Sequence, residues 1–319
     1  MRARQKYQLA QARARRRHLK RVRSRTPPLV RLHPSQLPLV PLKVPRTFSM
    51  IENPVETIAF FGMFRDLTRK NNLRLEMQEV SRITIDAITA LVAEIVALGQ
   101  SRLVNGTYPK DNGCRDFLMQ SGFHDYVKAL QPVPPGKKGK IAKRKSKVVE
   151  SMTAKDLIRF GSEAAYGTAQ RCYAAFATLV ECMSNTHNHA TGRTATQGTE
   201  TWYSTVYGDK ERNRICFAFL DTGVGIFRSV RYGLIRRLYR LVKWQDDRQI
   251  LKDILHGQVE SRTGLPFRGK GLPSIYRDLQ AGRIKSLVIV ANDVYANVAT
   301  DDFRILNTRY PGTLLYWES

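Results

Sequence analysis

The sequence predicts an α/β protein made of two globular parts, and three observations carry that prediction. Residues 48–131 alternate short strand-like and helix-like segments. Residues 132–150, rich in Pro, Gly and Lys, interrupt the alternation. Beyond them a long helical pattern runs to about residue 190, and an apolar strand follows at 214–220. A chain of 319 residues has room for two cores of ordinary size.

The formal net charge of +26 is unevenly spread. Residues 1–47 hold 14 Lys and Arg and no acid, and residues 132–147 hold 7 more with no acid. That leaves only about +5 for the rest, so the folded parts are mildly basic and two segments carry the excess. The first segment reads as a flexible arm, and its proline-rich stretch from Pro27 to Pro45 argues against a regular element. Three roles stay open for the arm: phosphate contact on DNA or RNA, a tail that keeps the chain soluble, or a transit peptide. No apolar run approaches 18 residues, which argues against a spanning helix, and no apolar leader supports secretion. Cys114, Cys172, Cys182 and Cys216 form no CxxC or CxxxC pair, which fits a reducing cytoplasmic setting better than a disulfide or zinc framework.

Within 48–131, Thr47–Ile51 reads as a short strand and Pro54–Lys70 as an amphipathic helix with proline in its first turn. Leu73–Val80 alternates as a strand, and Ile85–Leu98 is a strongly apolar helix. Arg102–Thr107 is another strand and Gly113–Val127 a further helix. Strands alternating with helices predict a compact layered domain. Residues 132–150 read as an extended, self-repelling linker and mark the domain boundary.

In the second part, the stretch from Thr153 to Ala190 reads as helix, with Phe176, Leu179 and Met183 forming an apolar stripe. Glu181, Asn185 and His189 are four residues apart and stack along one face, whereas His187 falls on another. Three polar groups in line call for a common ligand, and a phosphate with its magnesium ion is one that suits them. The buried strand 214–220 ends in Asp221-Thr-Gly223-Val-Gly225, and Arg268-Gly269-Lys270-Gly271-Leu272 precedes a short helix, Pro273–Leu279. Between these two motifs lies a long segment in which Arg228, Arg231, Arg236, Arg237, Arg240 and Lys243 alternate with Leu234, Leu238, Leu241 and Trp244, a basic amphipathic helix.

These three motifs, in this order and on these elements, resemble the GHKL ATPase superfamily of gyrase, heat-shock chaperone ATPases, histidine kinases and MutL. Gly312-Thr313 looks like that family's last adenine-side motif, and the resemblance spans residues 151–319. It implies a two-layer α/β sandwich, with a mixed sheet covered by helices on one side and ATP held between helices and lid. It further implies Asn185 as the Mg2+ ligand, Glu181 as general base, and Asp221 as acceptor for the adenine amino group. Gly223, Gly225 and Thr313 would line the base. Gly269, Lys270, Gly271 and Leu272 would cradle phosphate, and His189 either touches phosphate or packs. The chemistry agrees: magnesium on phosphate takes few protein oxygens, and a carboxylate beside an adenine amine rejects guanine. Two positions depart from the family, Asn188 where Lys or Arg is common and Phe267 where glycine is common. Ser261-Arg262-Thr263-Gly264 looks like the short lid turn of stand-alone relatives.

Residues 48–131 look like a STAS domain, on the shape of Glu79–Leu91 and on element order. In regulatory STAS proteins a serine or threonine at the start of this helix accepts phosphate. Here Ile85 and Asp86 stand there, with Thr84 one step early, which favours docking or scaffolding over phosphorylation. The combined expectation is an ATP-binding, ATP-hydrolysing regulatory switch acting on a protein partner. A serine/threonine kinase of the anti-sigma type and a nucleic-acid-binding ATPase using residues 1–47 stay open as alternatives, and oligomerisation is undetermined. A histidine autokinase is disfavoured, because His124 follows Gly122-Phe123 at the end of a short helix.

Overall fold

Regular structure follows the hydrophobic pattern through most of residues 38–131. The structure is a computed structural model that describes residues 33–129, 131–145, 149–190, 201–223, 225–229, 246–258 and 271–319, with the side chains of residues 145, 187–190 and 228–229 left out. Residues 1–37 form one unit and 38–319 another. Of the first unit His33–Leu37 is described, a single 3-10 turn over Pro34–Gln36 capped by the His33 side chain.

The second unit begins with β1 (Leu39–Lys43), which pairs in parallel with β3 (Asn72–Glu76); β3 pairs in parallel with β5 (Val104–Gly106). A proline-rich arm through residue 47 was expected, so β1 corrects that expectation. Its physical basis is position: β1 is an edge strand, where Pro41 need not donate to a second neighbour. β2 (Thr47–Phe48) and β4 (Arg82–Ile83) form a second, two-stranded sheet. Helix α1 (Pro54–Thr68) starts on proline, as expected, and α2 spans Ile85–Leu98. α3 (Asn112–Gln120) is capped by Asp111, whose side chain accepts from the Cys114 N–H at 2.7 Å. It ends before Gly122, at φ 87°, rather than running on to Val127.

Among the described residues five strands build the large sheet: β6 (Gly139–Lys145), β7 (Thr201–Asp209), β8 (Arg214–Asp221), β9 (Lys285–Asn297) and β10 (Asp302–Glu318), in the order β6-β7-β8-β10-β9. Every pairing is antiparallel, where a mixed sheet was expected. β6 lies inside the stretch expected to be a linker. Its Ile141 and Ala142 are buried, and that apolar pair holds a strongly basic segment on the sheet edge. Lysines along such an edge also discourage pairing with a further strand.

Successive side chains of β8 point to opposite faces and enter different cores. Ile215, Phe217 and Phe219 join Trp202, Val206 and Trp317 under α4 (Ser151–Tyr166) and α5 (Tyr173–Ala190). Cys216, Ala218 and Leu220 join Tyr310 and Leu314 under Phe61 of α1 and Leu91 of α2. Helices thus cover both faces of the sheet, whereas an open second face was expected. This explains why α2 is buried continuously from Ile85 to Ala93: it is packed from two sides. The Tyr295 hydroxyl donates to the Ile51 carbonyl at 2.9 Å, and Arg65 lies over the Tyr310 ring, 5.3 Å from its centroid. The helical run expected from Thr153 to Ala190 is two helices, because Gly167 closes α4 in the left-handed conformation at φ 76°. Among the described residues three further helices follow: α6 (Ile226–Ser229), α7 (Asp247–Leu255) and α8 (Gly271–Gln280). Among the described residues, no helix is long and apolar enough to cross a membrane.

Candidate functional site

Helix α5 is amphipathic at the turn that matters. Ala175, Leu179, Cys182 and Met183 are buried against the sheet, and the Thr186 hydroxyl folds back to the Cys182 carbonyl at 3.1 Å. Glu181 and Asn185 are half-buried beside that apolar face. Burial raises the Glu181 carboxyl above its ordinary range, so part of its hydration is already lost. Burial also pushes the Cys182 thiol upward, and the charges of Glu181 and Asp221 add to that effect. Cys182 lies midway along α5, buried in the core that this helix shares with Phe217 and Phe219 of β8.

Helix α8 packs across α5, with Leu272 and Ile275 buried in the same core. Its first residue, Gly271, has no space for a side chain: a Cβ would stand 2.7 Å from Glu181 Oε2, 3.1 Å from Asn185 Nδ2 and 3.3 Å from Asn185 Oδ1. The glycine lets the N-terminal turn of α8 rest directly on two polar groups of α5. That turn carries backbone N–H groups with no partner inside the helix, the usual basis of an anion cradle.

Asp221 closes β8, and its Oδ1 accepts from the Gly223 N–H at 2.8 Å, which fixes the carboxylate as the chain turns. Thr222 reinforces the turn, its hydroxyl donating to the Thr201 carbonyl at 2.7 Å. Thr313 pairs with Asp221 in the β8–β10 register and is buried. Gly312, at φ 95°, would carry a Cβ only 2.1 Å from the Asp221 carbonyl oxygen. Gly225, at φ 84°, lies against Asn292 of β9. Both glycines are required by backbone conformation and by close approach.

The structure therefore brings Glu181, Asn185 and Gly271 together, and separately joins Asp221, Gly223 and Thr313. Leu272 is part of the core at this place. The side chains of His187, Asn188 and His189 lie outside the described residues, as do Phe267, Gly269, Lys270 and the turn at 261–264. So do residues 1–32 of the basic arm and most of the basic amphipathic segment, residues 230–245. Among the described residues no cluster of three His, Cys, Asp or Glu could hold a metal ion. Sequence reading missed Asn292 and Arg309. The signal for Asn292 was an amide inside the apolar run Leu287–Ala296; Arg309, on an exposed stretch of strand, offered none.

No known protein-family model matches this chain, and neither does any curated protein.

Proposed function

We propose that the chain binds ATP with Mg2+ between α5, α8 and the Asp221 turn, hydrolyses it, and uses the nucleotide state to control a protein partner, as a GHKL-type ATPase fused to a STAS-like layer. The observation that carries this reading is Gly271 seated on Glu181 and Asn185. A helix N-terminus, a carboxylate and a side-chain amide meet where the three motifs call for a phosphate, a base and a magnesium ligand.

The residues fit the group. The missing Cβ at Gly271 lets Glu181 and Asn185 come up against the N-terminal turn of α8, and a single amide oxygen suits a cation that keeps most of its waters. Asn185 Oδ1 would hold the magnesium ion, which when bound supplies charge compensation across the phosphates. Glu181 removes a proton from the attacking water, and its partial burial raises its basicity toward the working range. Gly271 and the following N–H groups of α8 orient the anion. Asp221, fixed by Gly223, accepts from the exocyclic amine of adenine, and the carbonyl of guanine would leave that carboxylate unpaired.

The STAS-like layer acts as a scaffold in this reading. Asp86, at the phosphoacceptor place, is 0% exposed, and the Thr84 hydroxyl is buried too. Titration calorimetry on the full chain tests the proposal: wild type binds MgATP and discriminates against MgGTP, and Asp221→Asn loses affinity. Glu181→Ala keeps binding while ADP release falls by about 10²–10⁴-fold. A full chain that shows no heat with MgATP, or an Asp221→Asn variant of unchanged affinity, ends the assignment.

A further inference from the structure

Three residues in the left-handed region surround the turn after Asp221, and they come from three different segments: Gly225 at φ 84°, Gly312 at φ 95° and Asn292 at φ 56°. Gly225 follows β8, Asn292 lies inside β9, and Gly312 lies inside β10. The register explains the last two. Tyr310 pairs with Asn292 and Thr313 with Ala291, so Pro311 and Gly312 are extra on β10 and the ladder bulges there. Asparagine tolerates the left-handed conformation better than the apolar residues around it.

The Asn292 side chain is 4% exposed, so its amide needs partners. Oriented by its surroundings, the amide oxygen accepts from Arg309 Nη2 at 2.9 Å and Nε at 3.2 Å. Its NH2 then turns to the opposite, acceptor-bearing side. On the Gly225 side, a Cβ would stand 2.5 Å from this amide. An exposed arginine thus reaches inward with two donors to orient a buried amide, and that amide bears on the third residue of the Asp-x-Gly-x-Gly turn.

We propose that Asn292 and Arg309 form a latch that positions the Asp221–Gly225 turn and so sets affinity for the adenosine part of the nucleotide. The inference rests on the nucleotide reading above for its ligand, but not for its geometry. Asn292 and Arg309 are positioning residues: they act through the turn, not through the phosphates. Arg309 suits the role because its planar fork gives two parallel donors to one acceptor, which a lysine cannot reproduce.

The test uses the full chain with Arg309→Ala, Arg309→Lys and Asn292→Gly, the last keeping the backbone conformation while deleting the amide. Adenosine, ADP and ATP are titrated by calorimetry, with hydrogen exchange followed in peptides spanning 221–227 without ligand. Arg309→Ala and Asn292→Gly each weaken all three ligands by a similar factor, on the order of tenfold, and the double variant is no weaker than either alone. Arg309→Lys behaves like Arg309→Ala. In every variant the turn exchanges faster than in wild type. Loss of ATP and ADP affinity with adenosine untouched would make Arg309 a phosphate contact and overturn the latch, as would unchanged exchange in Arg309→Ala. If wild type binds none of the three ligands, the nucleotide reading fails, and the exchange experiment alone decides the latch. Should Asn292→Gly not fold, Arg309→Ala carries the test, since it alters an exposed side chain.

Discussion

The hydroxyls of Thr89 and Thr205 lie 2.6 Å apart and fully buried, one on α2 and the other on β7. Thr89 also stands 2.6 Å from the Ile85 carbonyl and has a single proton to give. It donates to that carbonyl, so Thr205 is the donor to Thr89. The pair ties the layer that contains α2 to the large sheet. Removing the two hydroxyls should therefore have unequal effects. Thr205→Val leaves Thr89 satisfied by Ile85 and costs about 0.5–1.5 kcal/mol. Thr89→Val strands the Thr205 donor and costs about 1–3 kcal/mol. Denaturant unfolding of both variants measures the difference, and equal costs would refute the donor assignment.

Because α1 and α2 share a core with β8 and β10, the two halves should also unfold together. Near-ultraviolet and far-ultraviolet signals of the full chain are expected to follow one transition. Two separated transitions would mean that the sheet face lined by Ala218, Leu220 and Leu314 is stable uncovered.

Two glycines in the candidate site should respond to alanine in opposite ways. At Gly271 the new Cβ meets the ends of two side chains, Glu181 and Asn185, which can swing aside. Stability of Gly271→Ala is expected to stay within about 1 kcal/mol of wild type, helped by the better helix propensity of alanine. Nucleotide affinity and turnover should nevertheless fall, because both functional side chains are displaced. At Gly312 the new Cβ meets the backbone oxygen of Asp221 from a residue at φ 95°, and nothing there can yield cheaply. Gly312→Ala should cost about 2–4 kcal/mol. Thermal denaturation beside nucleotide titration separates the cases, and a strongly destabilised Gly271→Ala would contradict this account.

How much of this was legible in the sequence differs by element. The α/β class, the bounds of α2 and the strand ending at Asp221 were legible, because apolar spacing sets them locally. Which of these residues meet was not legible locally: nothing in residues 181–185 and 271 announces that a glycine will sit on a carboxylate. β1 and β6 were hidden by composition, one by proline and the other by lysine. Each is held by pairing to a distant strand, Leu39 with Asn72 and Ile141 with Thr205, and local propensity does not report that. The covered second face of the sheet was hidden for a related reason. Ala218 and Leu220 show that β8 is buried on both sides but not what buries it.

The partial burial of Glu181 makes a prediction about the pH dependence of turnover. Its carboxyl is held above the ordinary glutamate range, with desolvation as the cause. As general base it must be ionised, so kcat/KM, which reports the free enzyme, should fall on the acid side through an apparent pKa higher than that of a free glutamate. Glu181→Gln should abolish this acid limb together with most of the rate. A wild-type acid limb at or below the free-glutamate value would place the base elsewhere.

Asp86 gives the sharpest prediction about stability. It is fully buried, its Oδ2 accepts from the Met50 N–H at 2.6 Å, and burial raises its carboxyl from 3.8 to about 6. Below about pH 4 the carboxyl is protonated in both the folded and unfolded states and adds no pH dependence. Between about pH 4 and 6 the folded state holds a proton that the unfolded state has released. Stability therefore falls as pH rises through this window, and above about pH 6 the full cost of a buried charge remains, about 3 kcal/mol at the conversion of 1.36 kcal/mol per pKa unit. Asp86→Asn retains an acceptor for Met50 and carries no charge. It should be more stable than wild type at pH 7–8, by about 1–3 kcal/mol, and show a smaller decline between pH 4 and 6. Urea titrations of both proteins across this range measure the effect. An Asp86→Asn curve parallel to wild type would show that Asp86 titrates alike in the folded and unfolded chains.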